Sequence, residues 1–443
     1  MKYCILVDNY RGFANTCIPI AEVNFLVGEN STGKTSILGL LKILMNPLSL
    51  LMGREFEDDD ESDMGNFFDL VSVHSPNQKS FTCGLFGKNE ASKKEIKAIN
   101  GFTLTFVEER GRPTLSKCVF CLGEDWTTIE FRGRSIFFGV KKMQIALDHK
   151  EILAHYKKGQ GDATTVTELR KLKLPSGLPS NVPPMVALSL VQTQLSSEMR
   201  PGKRSRGTEF RFSTDLLEFV RPLCWVAPIR SKPKRTYDAL TREFSPEGEH
   251  TPYLIRTILR SRAQAKRFKA AIQKAGLASG LFQDVEIKNF GKDVTAPFEV
   301  DVVLDGKGLS LTTVGYGISQ SLPILVELLA RRSGTWFAIQ QPEVHLHPRA
   351  QAALGDVLYE MAVDEHKCFL IETHSDFMID RFRQQFRSGQ TRKPESQILF
   401  FERIKKGNSV NVLAIDESGD LPQGQPAAYR EFFIREQLSV LGL

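Results

Sequence analysis

The eight residues Gly28-Glu29-Asn30-Ser31-Thr32-Gly33-Lys34-Thr35 fit the pattern GxxxxGK[ST] without a mismatch, between the apolar run VNFLV and the apolar-periodic stretch TSILGLLKIL. A strand, a glycine-rich loop and a helix in that order suit phosphate binding. The glycines let backbone N–H groups wrap the phosphates, Lys34 reaches the β- and γ-phosphates, and the Thr35 hydroxyl is positioned for Mg²⁺. ATP and Mg²⁺ are the expected cofactors, with Asn30, Ser31, Thr32, Gly33, Lys34, Thr35 and Ser36 as nucleotide contacts.

Two further groups of residues could do chemistry. Val314-Gly-Tyr-Gly-Ile-Ser-Gln320 stands before an apolar helix. It reads either as a second anion site, with amides and a hydroxyl at a helix start, or as a tight turn with Ser319 as N-cap. Downstream, the apolar runs of TWFAIQQPEVHLHP (335–348) and CFLIETHSD (368–376) each end in polar residues. His345, His347, Glu343, His374 and Asp376 include common zinc ligands, but the flanking strands and the phosphate loop account for them without a transition metal.

These residues must be carried by strand ends, and the patterning supplies the strands. Residues 1–140 read as an α/β half with a β-rich edge: strands at Val23 to Val27, Phe102 to Phe106, Ser116 to Cys121 and Thr127 to Phe131, and a helix from Lys34. Residues 141–288 carry Pro/Gly-rich breaks between helical segments such as Tyr253 to Ala275, as expected of a lid or helical insertion. Residues 289–443 return to alternation: strand Glu299 to Leu304, helix Ser319 to Arg331, strand Trp336 to Gln340, helix Pro348 to Val363, strand Cys368 to Glu372 and a strand near Gln397 to Phe401. Such alternation predicts an α/β fold whose ligands sit at the carboxyl ends of the strands.

Composition narrows the class. The 443 residues carry 58 Lys and Arg against 52 Asp and Glu, with 41% apolar, as in ordinary soluble domains, and no run approaches a membrane span. The N-terminus lacks the apolar core of a secretory leader. Seven scattered cysteines, Cys118 and Cys121 the only close pair, give no disulfide framework and point to a reducing cytoplasm. Arg200 to Lys269 holds 17 basic residues against 7 acidic ones. That stretch is either a DNA-binding surface or a solvated basic face. The acidic run Glu55 to Asp63 reads as a solvated loop.

Taken together, RGF (Arg11 to Phe13), GENSTGKTS, VGYGISQ, QQPEVHLHP and ETHSD follow an order that resembles the ABC-type ATPases of the OLD-like group, relatives of SMC and RecF ATPases that act as nucleotide-sensing components of antiphage systems. The resemblance covers both ends of the chain. It implies an ABC/SMC-type head built from those ends, with the basic, helical middle as an insertion used for dimerisation or partner contacts. VGYGISQ would be the signature segment, completing the site of an opposite subunit through Gly317 and Ser319. His374 would sense the γ-phosphate, Arg11 would lie near the base or phosphates, and His345-Leu-His347 would face the dimer partner.

The departure is at the Walker B strand, where carboxylates usually bind Mg²⁺ through its water shell and activate water. Here the positions are Gln340 and Gln341. An amide still hydrogen-bonds a metal-bound water but is no general base. Gln340 with Thr35 would serve the metal, while Glu343 and His374, beside Gln340 and Gln341, are the catalytic candidates. Glu372 or Asp376 could reach the site from the neighbouring strand. Slow turnover, a long-lived ATP-bound state, and replacement of a native carboxylate all fit these residues. From the short stretch after ETHSD, an appended Toprim nuclease is not expected. The expectation is a cytoplasmic, ATP-dependent dimer or higher oligomer serving a separate nuclease or toxin effector. A RecF/SMC-like DNA repair or recombination ATPase is the rival, and a transporter ATPase is disfavoured.

Overall fold

The computed structural model describes residues 2–46, 65–74, 78–88, 99–161, 169–174, 182–198, 221, 223–238, 243–293 and 295–433. The acidic run Glu55 to Asp63 and most of 200–222 in the basic stretch lie outside the described residues. In chain order come β1 (Tyr3–Asp8), β2 (Thr16–Ile20), β3 (Val23–Gly28), α1 (Lys34–Leu44), α2 (Phe67–Leu70), β4 (Ser80–Lys88), β5 (Ile99–Glu109), β6 (Arg112–Leu122), β7 (Asp125–Arg132) and β8 (Ser135–Lys142). Next are α3 (His149–Gly161), β9 (Arg170–Lys171), α4 (Pro184–Glu198), β10 (Leu223–Val226), α5 (Thr251–Arg260), α6 (Arg262–Ser279), β11 (Asp284–Asn289), β12 (Phe298–Leu304) and β13 (Lys307–Ser310). The rest are α7 (Tyr316–Ala330), β14 (Trp336–Gln340), α8 (Pro348–Asp364), β15 (Cys368–Glu372), α9 (Asp376–Gln384), β16 (Ser396–Ile404), β17 (Gly407–Ile415) and α10 (Ala427–Phe432). Two compact units share the chain: 1–21, 29–223 and 401–412 form the first, and 22–28, 224–400 and 413–443 the second.

The first unit is built on an antiparallel sheet in the order β2-β1-β4-β5-β6-β7-β8-β9. Its sequence alternates as a two-faced sheet must. Phe102, Leu104 and Phe106 of β5, Cys118 and Phe120 of β6, Ile129 of β7 and Phe138 of β8 are buried on one face, and each buried phenylalanine is worth about 2–3 kcal/mol. The opposite face carries Thr103, Thr105, Lys117, Val119, Trp126 and Thr128, with α3 packed at one end through Ile152 and Tyr156. Cys118 and Cys121 take opposite faces of β6, and none of the seven cysteines, all among the described residues, is in a disulfide.

The second unit holds the parallel strands. A six-stranded sheet has the order β10-β14-β15-β3-β16-β17, with β14, β15 and β3 running parallel. Every residue of these three strands is buried, the expected result where both sheet faces are covered. Asn24 in β3 is tolerated because its amide donates to the Phe369 carbonyl at 2.9 Å and accepts from Gln397 at 2.8 Å. Helices α8 and α9 pack closely because a Cβ at Gly355 would come within 2.4 Å of the Met378 carbonyl oxygen. A three-stranded antiparallel sheet, β11-β12-β13, completes the unit.

The expected strands 102–106, 116–121 and 127–131 extend to 99–109, 112–122 and 125–132, and two helices differ from the sequence reading. The helix expected over Tyr253 to Ala275 is two helices, because Ser261 adopts extended backbone (φ −83°, ψ 108°) between α5 and α6. The helix expected from Ser319 starts at Tyr316 with Gly315 as N-cap, so Ser319 lies inside the helix and does not cap it. Pro323 within α7 offers no N–H to the Ser319 carbonyl four residues earlier. No described helix is long and apolar enough to cross a membrane.

Candidate nucleotide site

In the first unit, the glycine-rich loop is held from several sides. Gly33 is the N-cap of α1 at φ 96°, and a Cβ there would meet the Phe13 ring at 2.5 Å. Both the backbone angle and the ring therefore demand glycine. Ser31 also has positive φ, 61°. Lys34, 4% exposed, donates through Nζ to the Glu29 carbonyl at 2.8 Å, and Thr32 Oγ1 donates to the same oxygen at 2.8 Å. Asn30 and the Thr35 side chain are exposed.

Arg11 sits at φ 42°, its N–H donating to the Leu70 carbonyl at 2.9 Å and its Nε to the Asp69 carbonyl at 3.2 Å. Its guanidinium lies 3.5 Å from the Ser36 hydroxyl. Sequence reasoning missed two contributors from the β16–β17 hairpin. Arg403 donates to the Ser31 carbonyl at 2.9 Å, and the Asn408 N–H donates to the Gly12 carbonyl at 2.8 Å. Neither belongs to a motif; only their hairpin, some 370 residues downstream, brings them there.

In the second unit, β14 and β15 set Gln340 directly opposite Glu372. The Gln340 amide donates to Glu372 Oε2 at 3.1 Å, and the pair is 5% and 6% exposed. A carboxylate at 340 could not make that bond without a shared proton. Gln341 turns the chain at φ 43°, its N–H donating to the Glu372 carbonyl at 2.8 Å. Glu343 then accepts from the Thr373 hydroxyl at 2.9 Å and from the His374 N–H at 2.7 Å. Burial pushes the Glu343 carboxyl up, against the bonds from His374 and Thr373 and the nearby Arg230 charge. The His374 ring stacks on Phe432, and Ser375 caps α9 by accepting from the Met378 N–H at 3.1 Å.

Arg230 is the largest omission of the sequence reading. At 3% exposure it donates to the Gln340 carbonyl at 2.8 Å and the Gln341 carbonyl at 3.3 Å, and its own N–H donates to Gln320 of α7 at 3.3 Å. Burial pushes its guanidinium down to about 10 while the Glu343 charge opposes the shift, so it stays charged at neutral pH. The local signal is its place a few residues after the strand LCWV, but among the 17 basic residues of 200–269 nothing in the pattern distinguishes it.

Gly317 approaches the loop after β14 so closely that a Cβ would lie 2.8 Å from the His345 carbonyl oxygen, and the Tyr316 and His345 rings are 5.5 Å apart. The Ser319 hydroxyl donates to the Tyr316 carbonyl at 3.0 Å. His347 caps α8, and His345 is exposed at φ 66°. Among the described residues no three His, Cys, Asp or Glu side chains come together as a metal cluster.

The chain belongs to the AAA ATPase domain family, whose model matches residues 1–172 and 229–379. The ATPase domain is thus drawn from both ends of a mixed α/β chain, and 173–228 falls outside the match. No curated protein sequence matches it. Among solved structures, an SMC head bound to the C-winged helix domain of ScpA is similar at 11% identity and TM-score 0.45, over 94% of this chain and 98% of that one. A second, from work on ATP-driven dimerization and DNA-stimulated activation of SMC ATPases, has 12% identity and TM-score 0.28, over 43% of this chain and 97% of that one.

Proposed function

We propose that this protein is an ATP-binding head that assembles as a dimer or higher oligomer around ATP and Mg²⁺ and acts as a sensor and regulatory scaffold for a separate effector, a nuclease or toxin, in antiphage defence. The supporting observation is the coupling in the second unit. Glu343 accepts from Thr373 and His374, and the loop it begins carries the His345 carbonyl against Gly317. A γ-phosphate sensed at His374 would be felt at the signature segment through one short covalent and hydrogen-bonded path.

The phosphate cradle fits the nucleotide: Lys34 would face the β- and γ-phosphates, Asn30 to Ser36 would supply loop amides and hydroxyls, and Arg11 would border them. Mg²⁺ would supply charge neutralisation to the phosphates; Thr35 in the first unit and Gln340, bonded to Glu372, in the second are the residues proposed to serve it. Glu372 then contributes the negative charge that Gln340 lacks. Gln341 cannot take a proton, which leaves Glu343, and a carboxylate already bonded to the switch loop makes for slow hydrolysis. In this reading residues 141–288 form the partner-facing lid, and the protein works in the cytoplasm.

The test is Mg²⁺-ATP turnover by the parent beside Lys34→Ala and Gln340→Glu. Turnover lost in Lys34→Ala marks a cycling ATPase; turnover gained only in Gln340→Glu marks an ATP-locked state. Failure of the ATP-bound chain to retain any protein encoded beside it would count against the effector. The rival reading, a RecF/SMC-like DNA clamp, draws on exposed Lys232, Lys234 and Arg235. Against it, Arg267 and Lys269, of the same basic stretch, are paired with Glu365 and Asp284. Nucleotide-dependent DNA binding that falls steeply with salt would favour the clamp.

A further inference from the structure

The face of the first unit's sheet opposite its apolar core is hollow. Strand register aligns three rows of side chains across it. The middle row is Leu6, Gly84, Thr103, Val119, Thr128 and Gly139, small residues apart from the first. On one side stand Phe86, Trp126 and Lys141; on the other Asp8, Thr82, Thr105 and Lys117. The small row makes a trough between the tall ones, and α3 overhangs it with Ile152, His155 and Tyr156. The resulting cavity has a volume of about 860 Å³, within the range of sites that enclose small organic molecules.

Its walls are chemically specific. Lys117, Lys141, Lys158 and Lys406 line it; Lys117 is also paired with Glu130 at 3.5 Å, and the one carboxylate in the lining, Asp8, is already engaged by the Tyr156 hydroxyl at 3.1 Å and the Asn15 N–H at 2.7 Å. Trp126 is 7% exposed, yet its indole N–H has no hydrogen-bond partner among the described residues, and neither has Asn15 Oδ1. Leaving such groups unpaired in a fold costs about as much as a lost hydrogen bond, so each warrants an explanation. Phe86, Trp126 and Val119 add an apolar wall. No residue of the phosphate loop lines the cavity.

We propose that this cavity is a second ligand site, separate from the nucleotide site, for a small organic anion: an apolar body carrying one carboxylate or phosphate. The body lies in the trough against Phe86 and Val119, the acid group faces Lys141 and Lys117, and the Trp126 N–H is satisfied by an acceptor on the ligand.

The probe is 1-anilinonaphthalene-8-sulfonate, an aromatic body with one anionic group, titrated into the folded full chain. One equivalent should bind, equally in the parent and in Lys34→Ala. Thr128→Phe, which fills the trough, and Lys141→Glu, which reverses charge at an exposed rim position, should each weaken binding at least tenfold with the thermal midpoint of Lys141→Glu unchanged. Displacement by octanoate assigns a carboxylate ligand, and displacement by AMP a phosphate one. Binding unchanged in both variants, lost in Lys34→Ala, or displaced by neither competitor would overturn the proposal.

Discussion

At the scale of single residues, the end of β14 turns on one hydrogen bond. Gln340 donates to Glu372 in a buried place, so Gln340→Glu would set two carboxylates about one hydrogen bond apart. One of them must then hold a proton, its folded pKa raised above the unfolded value. The sign follows: the variant keeps its stability below the ordinary carboxylate pKa and loses it as pH rises, by about 1–3 kcal/mol at neutral pH. Denaturant unfolding at pH 4 and pH 7 measures the difference; equal losses at both would refute it. Gly33→Ala is a second test. It forces a Cβ into Phe13 at positive φ, and about 1–2 kcal/mol of backbone strain alone should come with at least tenfold weaker ATP binding in a calorimetric titration.

At the scale of elements, Arg230 ties α7 to the end of β14. Arg230→Ala leaves the Gln340 and Gln341 carbonyls without the guanidinium, while the main-chain bonds to Gln320 persist; it should cost about 3 kcal/mol, whereas a salt-bridged surface arginine such as Arg267 should cost under about 1 kcal/mol; chemical denaturation separates them. Helix α7 also carries Glu327, 2% exposed, bonded to His250 at 2.6 Å and Arg331 at 2.6 Å. Burial alone would raise its carboxyl, but the bonds from His250 and Arg331 outweigh burial and hold it below the usual range. Its contribution is present above the unfolded carboxylate pKa and lost as pH falls through the folded one. Glu327→Gln should therefore flatten acid unfolding, read by circular dichroism between pH 6 and pH 2. The same elements mark what the sequence could say. β14, β15 and the helix Pro348 to Val363 were legible because continuous burial and regular alternation leave a local pattern. The break at Ser261 was not, because its only mark is a serine, an N-cap residue also common inside helices, with no Gly or Pro to end α5; and Arg230, Arg403 and Asn408 were not, because their partners are 90 to 397 residues away.

At the scale of the whole molecule, assembly is the property to test first. Ser319→Arg places a long cation in the proposed trans contact and should leave ATP binding within about threefold of the parent while abolishing ATP-driven dimerisation, as seen by light scattering on a sizing column. A variant that dimerises normally would remove VGYGISQ from the interface. The order in which the chain is threaded through its two units has a further consequence, for how the protein is made. Strand β3, which runs into the phosphate loop, pairs with β15 some 350 residues later, and the loop's own braces, Arg403 and Asn408, come later still. At roughly 5–20 residues per second, a ribosome needs about 20 to 70 seconds between delivering Val23 and delivering its partner strand. During that time the apolar VNFLV segment has no permanent neighbour and the nucleotide cradle is unbraced. A nascent chain truncated before Glu372 should therefore fail to retain ATP, and in the cell those first strands become clients for a holding chaperone until the last quarter of the protein emerges.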